Sequence, residues 1–193
     1  MSWQNDQVSD SETNTILALA KKSLEIEGDF VEFGCYKGDT SLLLADLIKN
    51  TDKTLWLYDS FEGLPPKSAN DTSALGQDFK PGALATTKRE LKQRFLRANL
   101  KLPIIKKAWF NELTRSDIPD KISFAFLDGD FYESIKTSLE LITPHLSPGA
   151  TIVIHDYTNP ALPGVAKAVN EWLSKKPSVK TTQKSTIVII QTI

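Results

Sequence analysis

A single cysteine, Cys35, stands among 193 residues, so no internal disulfide can form and the chain must be held together by packing. No apolar run approaches the roughly 20 residues that a membrane-spanning helix needs. The opening residues, Met1-Ser2-Trp3-Gln4-Asn5-Asp6, lack the basic and apolar regions of a signal peptide. With the unpaired cysteine, this predicts a cytoplasmic location. A dominant charge is missing too: 23 Lys and Arg stand against 24 Asp and Glu, and no basic cluster exceeds a dipeptide. That argues against nucleic acid or an anionic membrane as partner and leaves small molecules, while no motif speaks to oligomeric state. No internal repeat, low-complexity tract or interdomain linker interrupts the chain, and a length of 193 with 40% hydrophobic residues suits one domain with a substantial core.

What is present is an alternation of short β-branched or aromatic runs with longer helical patterns, the signature of a parallel α/β sheet. Strands are expected at Phe30–Cys35, Thr54–Ser60, Pro103–Trp109, Ile122–Asp128, Gly149–Tyr157, Val179–Lys184 and Thr186–Thr192. Helices are expected around Ile16–Leu24, within an N-terminal segment ending at residue 28, and at Thr40–Lys49, Leu84–Asn99, Tyr132–Leu146 and Pro163–Lys176. Only Ser185 separates the last two strands. A parallel crossover needs a dozen or more residues, so they must form an antiparallel hairpin. The stretch 62–82, with Pro65-Pro66, Asn70-Asp71, Gly76 and Pro81-Gly82, is too long for a simple connection and reads as a lid over a site.

Two features point to a ligand. The first expected strand runs through Glu32 into a turn bounded by Gly34 and Gly38, followed by Thr40-Ser41 at a helix start. Glycines let backbone approach a ligand closely, and free N–H groups at a helix start favour a carboxylate or phosphate. Asp59 closes the second strand, where an acidic residue can accept both hydroxyls of a ribose. The glycine spacing is not the Gly-x-Gly-x-x-Gly of a dinucleotide site, which argues against NAD. Cys35 and Lys37 read as incidental.

Carboxylates also close two later strands, in Asp128-Gly129-Asp130 and His155-Asp156. Neighbouring strands lie about 4.8 Å apart, so Asp128 and Asp156 can converge on one divalent cation, Mg²⁺, Ca²⁺ or Mn²⁺ for oxygen donors. A contribution from His155 would pull the preference towards Mn²⁺, Fe²⁺, Ni²⁺ or Zn²⁺. Residues 155 and 156 point to opposite faces within a regular strand, so both can ligate only if the strand has already ended. Asp130 is placed to act as general base. His145 is expected at the surface.

Together, Val31-Glu32-Phe33-Gly34-Cys35-Tyr36-Lys37-Gly38, Tyr58-Asp59-Ser60-Phe61-Glu62-Gly63-Leu64-Pro65, Phe126-Leu127-Asp128-Gly129-Asp130-Phe131-Tyr132-Glu133-Ser134 and His155-Asp156-Tyr157 resemble the macrocin O-methyltransferase family, over about Asp29 to Lys176. The resemblance implies a Rossmann-like class I methyltransferase fold, a seven-stranded, mostly parallel sheet ending in the hairpin. It further implies metal-assisted methylation of a sugar hydroxyl with S-adenosylmethionine as cofactor. The residues it implicates in cofactor binding are Glu32, Gly34, Tyr36, Gly38, Ser41, Asp59, Ser60, Trp109, Phe110 and Asp128, with Trp109-Phe110 beside the adenine. It assigns Asp128 and Asp156 to the metal, with His155 as a further candidate, and Asp130 to proton abstraction. The family commonly has Asp-Asp-Tyr where this chain has His155-Asp156-Tyr157, and members carry a longer segment before the glycine turn, so the sugar's identity does not transfer. Two alternatives stay open: a protein that binds S-adenosylmethionine without transferring its methyl group, and an aspartyl phosphohydrolase built on Asp128-Gly129-Asp130.

Overall fold

The computed structural model describes residues 7–175 and 178–193. The polar start at Met1–Asp6 and the expected helix end at Lys176 lie outside the described residues. Seven strands, β1 (Asp29–Phe33), β2 (Leu55–Asp59), β3 (Ile104–Lys107), β4 (Ile122–Leu127), β5 (Leu146–Ile154), β6 (Val179–Lys184) and β7 (Ile187–Thr192), form one sheet in the order β3-β2-β1-β4-β5-β7-β6. The first five are parallel and β7 runs antiparallel to both β5 and β6, as the one-residue link at Ser185 requires.

Helices α1 (Asp10–Lys22), α2 (Asp39–Ile48) and α3 (Lys88–Arg97) cover one face, while α4 (Tyr132–Ile142) and α5 (Pro163–Leu173) cover the other. Alternation along β4 shows how both faces are filled. Phe124 and Phe126 pack with Ile16, Leu42 and Phe95 on the first side, whereas Ala125 and Leu127 pack with Ile135, Leu139 and Val165 on the second. A strand buried on both sides needs an unbroken apolar run, and all six β4 residues are buried. No helix among the described residues is long and apolar enough to cross a membrane.

Several boundaries differ from the sequence expectation for local reasons. Helix α1 starts six residues before Ile16, at a capping box in which the Ser9 hydroxyl and the Glu12 side chain serve each other's backbone N–H groups. Helix α3 starts at Lys88 rather than Leu84, because Leu84 has a left-handed φ of 61° and Thr87 supplies the cap. Helix α4 stops at Ile142, ahead of a 3₁₀ turn containing Pro144, and His145 in that turn is partly buried. Strand β5 ends at Ile154 rather than Tyr157.

Candidate active site

The strand order reverses between β1 and β4, and in open α/β sheets such a switch point leaves a crevice beyond the strands' carboxyl ends. A pocket lies there, lined among others by Glu32, Gly34, Tyr36, Gly38, Asp59, Ser60, Trp109, Phe110, Asp128, Asp130, His155 and Asp156. Of the residues singled out from sequence, only Ser41 is outside it, fully buried in the first turn of α2. Five non-glycine residues with left-handed φ sit in the loops that rim it: Tyr36 (44°), Phe61 (57°), Leu84 (61°), Asp130 (59°) and Asp156 (57°). Such backbone costs about 1–3 kcal/mol per residue and persists where surrounding structure enforces it.

The turn after β1 is held by Asp59. Its Oδ2 accepts the N–H groups of Cys35 (2.9 Å) and Tyr36 (3.0 Å), and its Oδ1 accepts that of Phe61 (2.7 Å). Gly34 has φ 81°, and a Cβ there would lie 2.1 Å from the Asp128 carbonyl oxygen. Its lack of a side chain therefore serves the approach of two protein loops, where the sequence suggested approach to a ligand. Glu32 is buried with Oε2 unpartnered. Burial, reinforced by Asp128, Asp59 and Asp39 against the Ser41 hydroxyl, pushes its carboxyl up to about 8. Cys35 is buried and its thiol is pushed up by burial and by Asp59, which fits a space-filling role. On the far wall, Phe110 meets Phe33 edge-on at 5.2 Å, and Phe33 stacks on Tyr58 at 4.3 Å.

Across the pocket, β4 and β5 bring the acidic ends together. The Phe131 N–H closes on the Gly129 carbonyl at 2.6 Å, so Asp130 stands at the apex of a three-residue turn. Burial, with repulsion from Asp128 and Asp156, raises the Asp130 carboxyl well above its usual range. After β5 ends, the His155 N–H still bonds the Leu127 carbonyl (3.0 Å), and the left-handed turn at Asp156 then abolishes the strand alternation. Both side chains now face Asp128. His155 Nδ1 lies 3.1 Å from Asp128 Oδ1 and 3.2 Å from Asp156 Oδ2, and the three donor atoms lie within 4.8 Å of one another. This nitrogen–oxygen–oxygen set fits a divalent cation. Burial pulls the imidazole down, but Asp128 and Asp156 outweigh it and hold it up to about 11.

Two contributors, Asn159 and Glu12, were not legible in the sequence. Asn159 donates to Asp156 Oδ1 at 2.9 Å and lines the pocket. Glu12, buried on α1, reaches within 3.9 Å of His155 Nε2. The stretch 62–82 contributes Gly63, Leu64, Pro65 and Phe79 to the wall. It is pinned by Asp71, which accepts from the Tyr132 N–H at the start of α4 (2.7 Å) and from Ser68, and by the Ser73 hydroxyl on the Pro160 carbonyl (2.8 Å). Only the capping-box spacing Ser9-x-x-Glu12 hinted that Glu12 would be fixed.

The fold recurs in solved structures. The O-methyltransferase NovP superposes with a TM-score of 0.80 at 24% identity, over 94% of this chain and 79% of that one. The calicheamicin methyltransferase CalS11 gives 0.80 at 20%, over 94% and 78%. In sequence, the 8-demethyl-8-(2,3-dimethoxy-alpha-L-rhamnosyl)-tetracenomycin-C 4'-O-methyltransferase of Streptomyces olivaceus is 30% identical over 156 residues, which is 76% of this chain and 58% of that protein. The mycinamicin III 3''-O-methyltransferase of Micromonospora griseorubida is 26% identical over 162 residues, 76% of this chain and 61% of that protein. The chain thus spans 58–61% of the lengths of the curated relatives it matches. A family model matches residues 14–184, from the middle of α1 to the end of β6, and with the strand order above it establishes that the chain belongs to the macrocin-O-methyltransferase family.

Proposed function

We propose that the chain is an O-methyltransferase that moves the methyl group of S-adenosylmethionine to a hydroxyl of a small molecule, a sugar or a glycosylated metabolite, with help from a divalent cation. The observation that carries this reading is the meeting, in one crevice, of an aromatic-walled hollow with the Asp128, His155 and Asp156 cluster and with Asp130. The rhamnosyl acceptor in the name of the tetracenomycin relative supports a sugar.

In this reading Trp109 and Phe110 flank the adenine, while Glu32 and the Gly34–Gly38 turn receive the amino-acid end. Asp59 Oδ1 carries one backbone bond and keeps a lone pair for a ribose hydroxyl, with Ser60 beside it. S-adenosylmethionine supplies the electrophilic sulfonium methyl. Asp128, Asp156 and His155 would hold Mg²⁺ or Mn²⁺, which when bound polarises the acceptor oxygen and lowers its pKa. Asp130 takes the hydroxyl proton on a carboxylate oxygen, and its raised proton affinity suits that task. Leu64, Pro65 and Phe79 keep water from the cofactor side and hold donor and acceptor in line.

A protein that binds the cofactor without transfer is the second reading, favoured by the positive imidazole between the two carboxylates. The phosphohydrolase alternative leaves the pocket contributions of Gly34, Asp59 and Trp109 without a role. Incubation with methyl-labelled S-adenosylmethionine, Mg²⁺ or Mn²⁺ and a panel of rhamnosides separates these readings. Label in a sugar methyl ether supports transfer; cofactor binding with no labelled ether under either cation supports the second reading instead.

A further inference from the structure

Resting on the metal-assisted reading above, we infer that Glu12 of the N-terminal helix is a positioning residue for His155, orienting the ring so that Nδ1 joins Asp128 and Asp156 in a site that favours a transition ion such as Mn²⁺ over Mg²⁺.

Two donor atoms bound at right angles to a shared cation, about 2.1–2.2 Å from it, stand about 3.0–3.1 Å apart. The separations from His155 Nδ1 to Asp128 Oδ1 (3.1 Å) and to Asp156 Oδ2 (3.2 Å) match two such edges. The ring is 93% buried, its centroid 6.5 Å from that of Phe126, so it has little room to turn. Its other nitrogen, Nε2, faces Glu12 Oε2 at 3.9 Å. That is beyond hydrogen-bond range, so the carboxylate acts on the buried ring as a fixed negative charge that holds the Nε2 edge towards α1 and the Nδ1 edge towards Asp128 and Asp156.

Glu12 is itself immobilised. Oε1 accepts the Thr186 N–H (3.0 Å) and hydroxyl (2.6 Å), and Oε2 accepts the Ser9 hydroxyl (2.6 Å). A helix-capping Glu is ordinarily a surface group, whereas this one is 5% exposed and spans from α1 to the β6–β7 turn. Carboxylates hydrogen-bonded to the outer nitrogen of a ligating histidine are worth roughly 10–100-fold in metal affinity, and at 3.9 Å Glu12 stands at the lower end of that range.

The test uses the full chain, with the metal alone as probe. Electron spin-echo modulation of the Mn²⁺-loaded protein should carry an imidazole nitrogen coupling that His155→Asp removes. Calorimetry should show His155→Asp lowering the ratio of Mn²⁺ to Mg²⁺ affinity, and Glu12→Gln weakening Mn²⁺ by about 10-fold. Thr186→Val, which loosens the same helix contact while keeping the charge, should retain the nitrogen coupling. No nitrogen coupling in the parent protein, or equal Mn²⁺ affinity in the parent and Glu12→Gln, overturns the inference. S-adenosylhomocysteine titrated into the same samples reports separately on cofactor binding.

Discussion

Asp130 combines a left-handed backbone, a partly buried side chain and two acidic neighbours, a costly combination that a merely structural turn would avoid. If it takes the acceptor proton, Asp130→Asn should spare S-adenosylhomocysteine affinity and lower turnover by roughly 10²–10⁴. Unchanged turnover would remove it from that role. At Gly34 the constraint is steric: Gly34→Ala forces a Cβ against the Asp128 carbonyl at a φ that side chains resist. Denaturant titration should show a loss of at least about 1–3 kcal/mol, and an unchanged midpoint would contradict the close loop approach. Glu32 makes a prediction about pH. Its carboxyl goes from an ordinary 4.5 up to about 8 on folding, so the folded chain holds a proton that the unfolded chain releases across that window. The stability from the protonated form is complete below 4.5 and is lost as pH rises through 8. Glu32→Gln should flatten this decline in urea midpoints measured from pH 5 to pH 8; a parallel decline would mean that another group causes it.

Among the elements, the loop 62–82 is tied down more firmly than its turn-rich composition suggests. Asp71, 1% exposed, is the tie, since it serves both the Tyr132 N–H and Ser68. Asp71→Ala should cost about 1–2 kcal/mol, as loss of a helix cap does, and should speed tryptic cleavage at Lys67. Cleavage at the parent rate would mean that Ser73 and the flanking turns hold the loop unaided. The strands were legible because β-branched and aromatic runs such as Ile122–Leu127 have only one way to bury both faces. The end of β5 was not, because nothing in His155-Asp156 announces that Asp156 adopts φ 57°, the detail that turns both side chains to one side. At α3 the Thr87 hydroxyl accepts the Glu90 N–H and starts the helix four residues after the apolar Leu84.

On the scale of the whole molecule, sequence order and spatial order part company at the centre of the sheet. Strand β1 lies between β2 and β4, so motifs separated by about a hundred residues meet at one crevice. The motifs at Gly34, Asp59, Asp128 and Asp156 were readable because each closes a hydrophobic strand. Glu12 was hidden for the opposite reason: its partner Thr186 is 174 residues away, and a capping glutamate looks like any other on a helix. The hairpin closes this circuit by carrying Thr186 back to α1 beside the β5 end. The account as a whole depends on an adenosyl ligand occupying the crevice between the β1 turn and Trp109. Calorimetric titration of S-adenosylhomocysteine tests that most directly. The prediction is one-to-one binding that Trp109→Ala weakens by about 10-fold or more, through loss of stacking on the base. Absence of binding, or binding indifferent to Trp109→Ala, would contradict it.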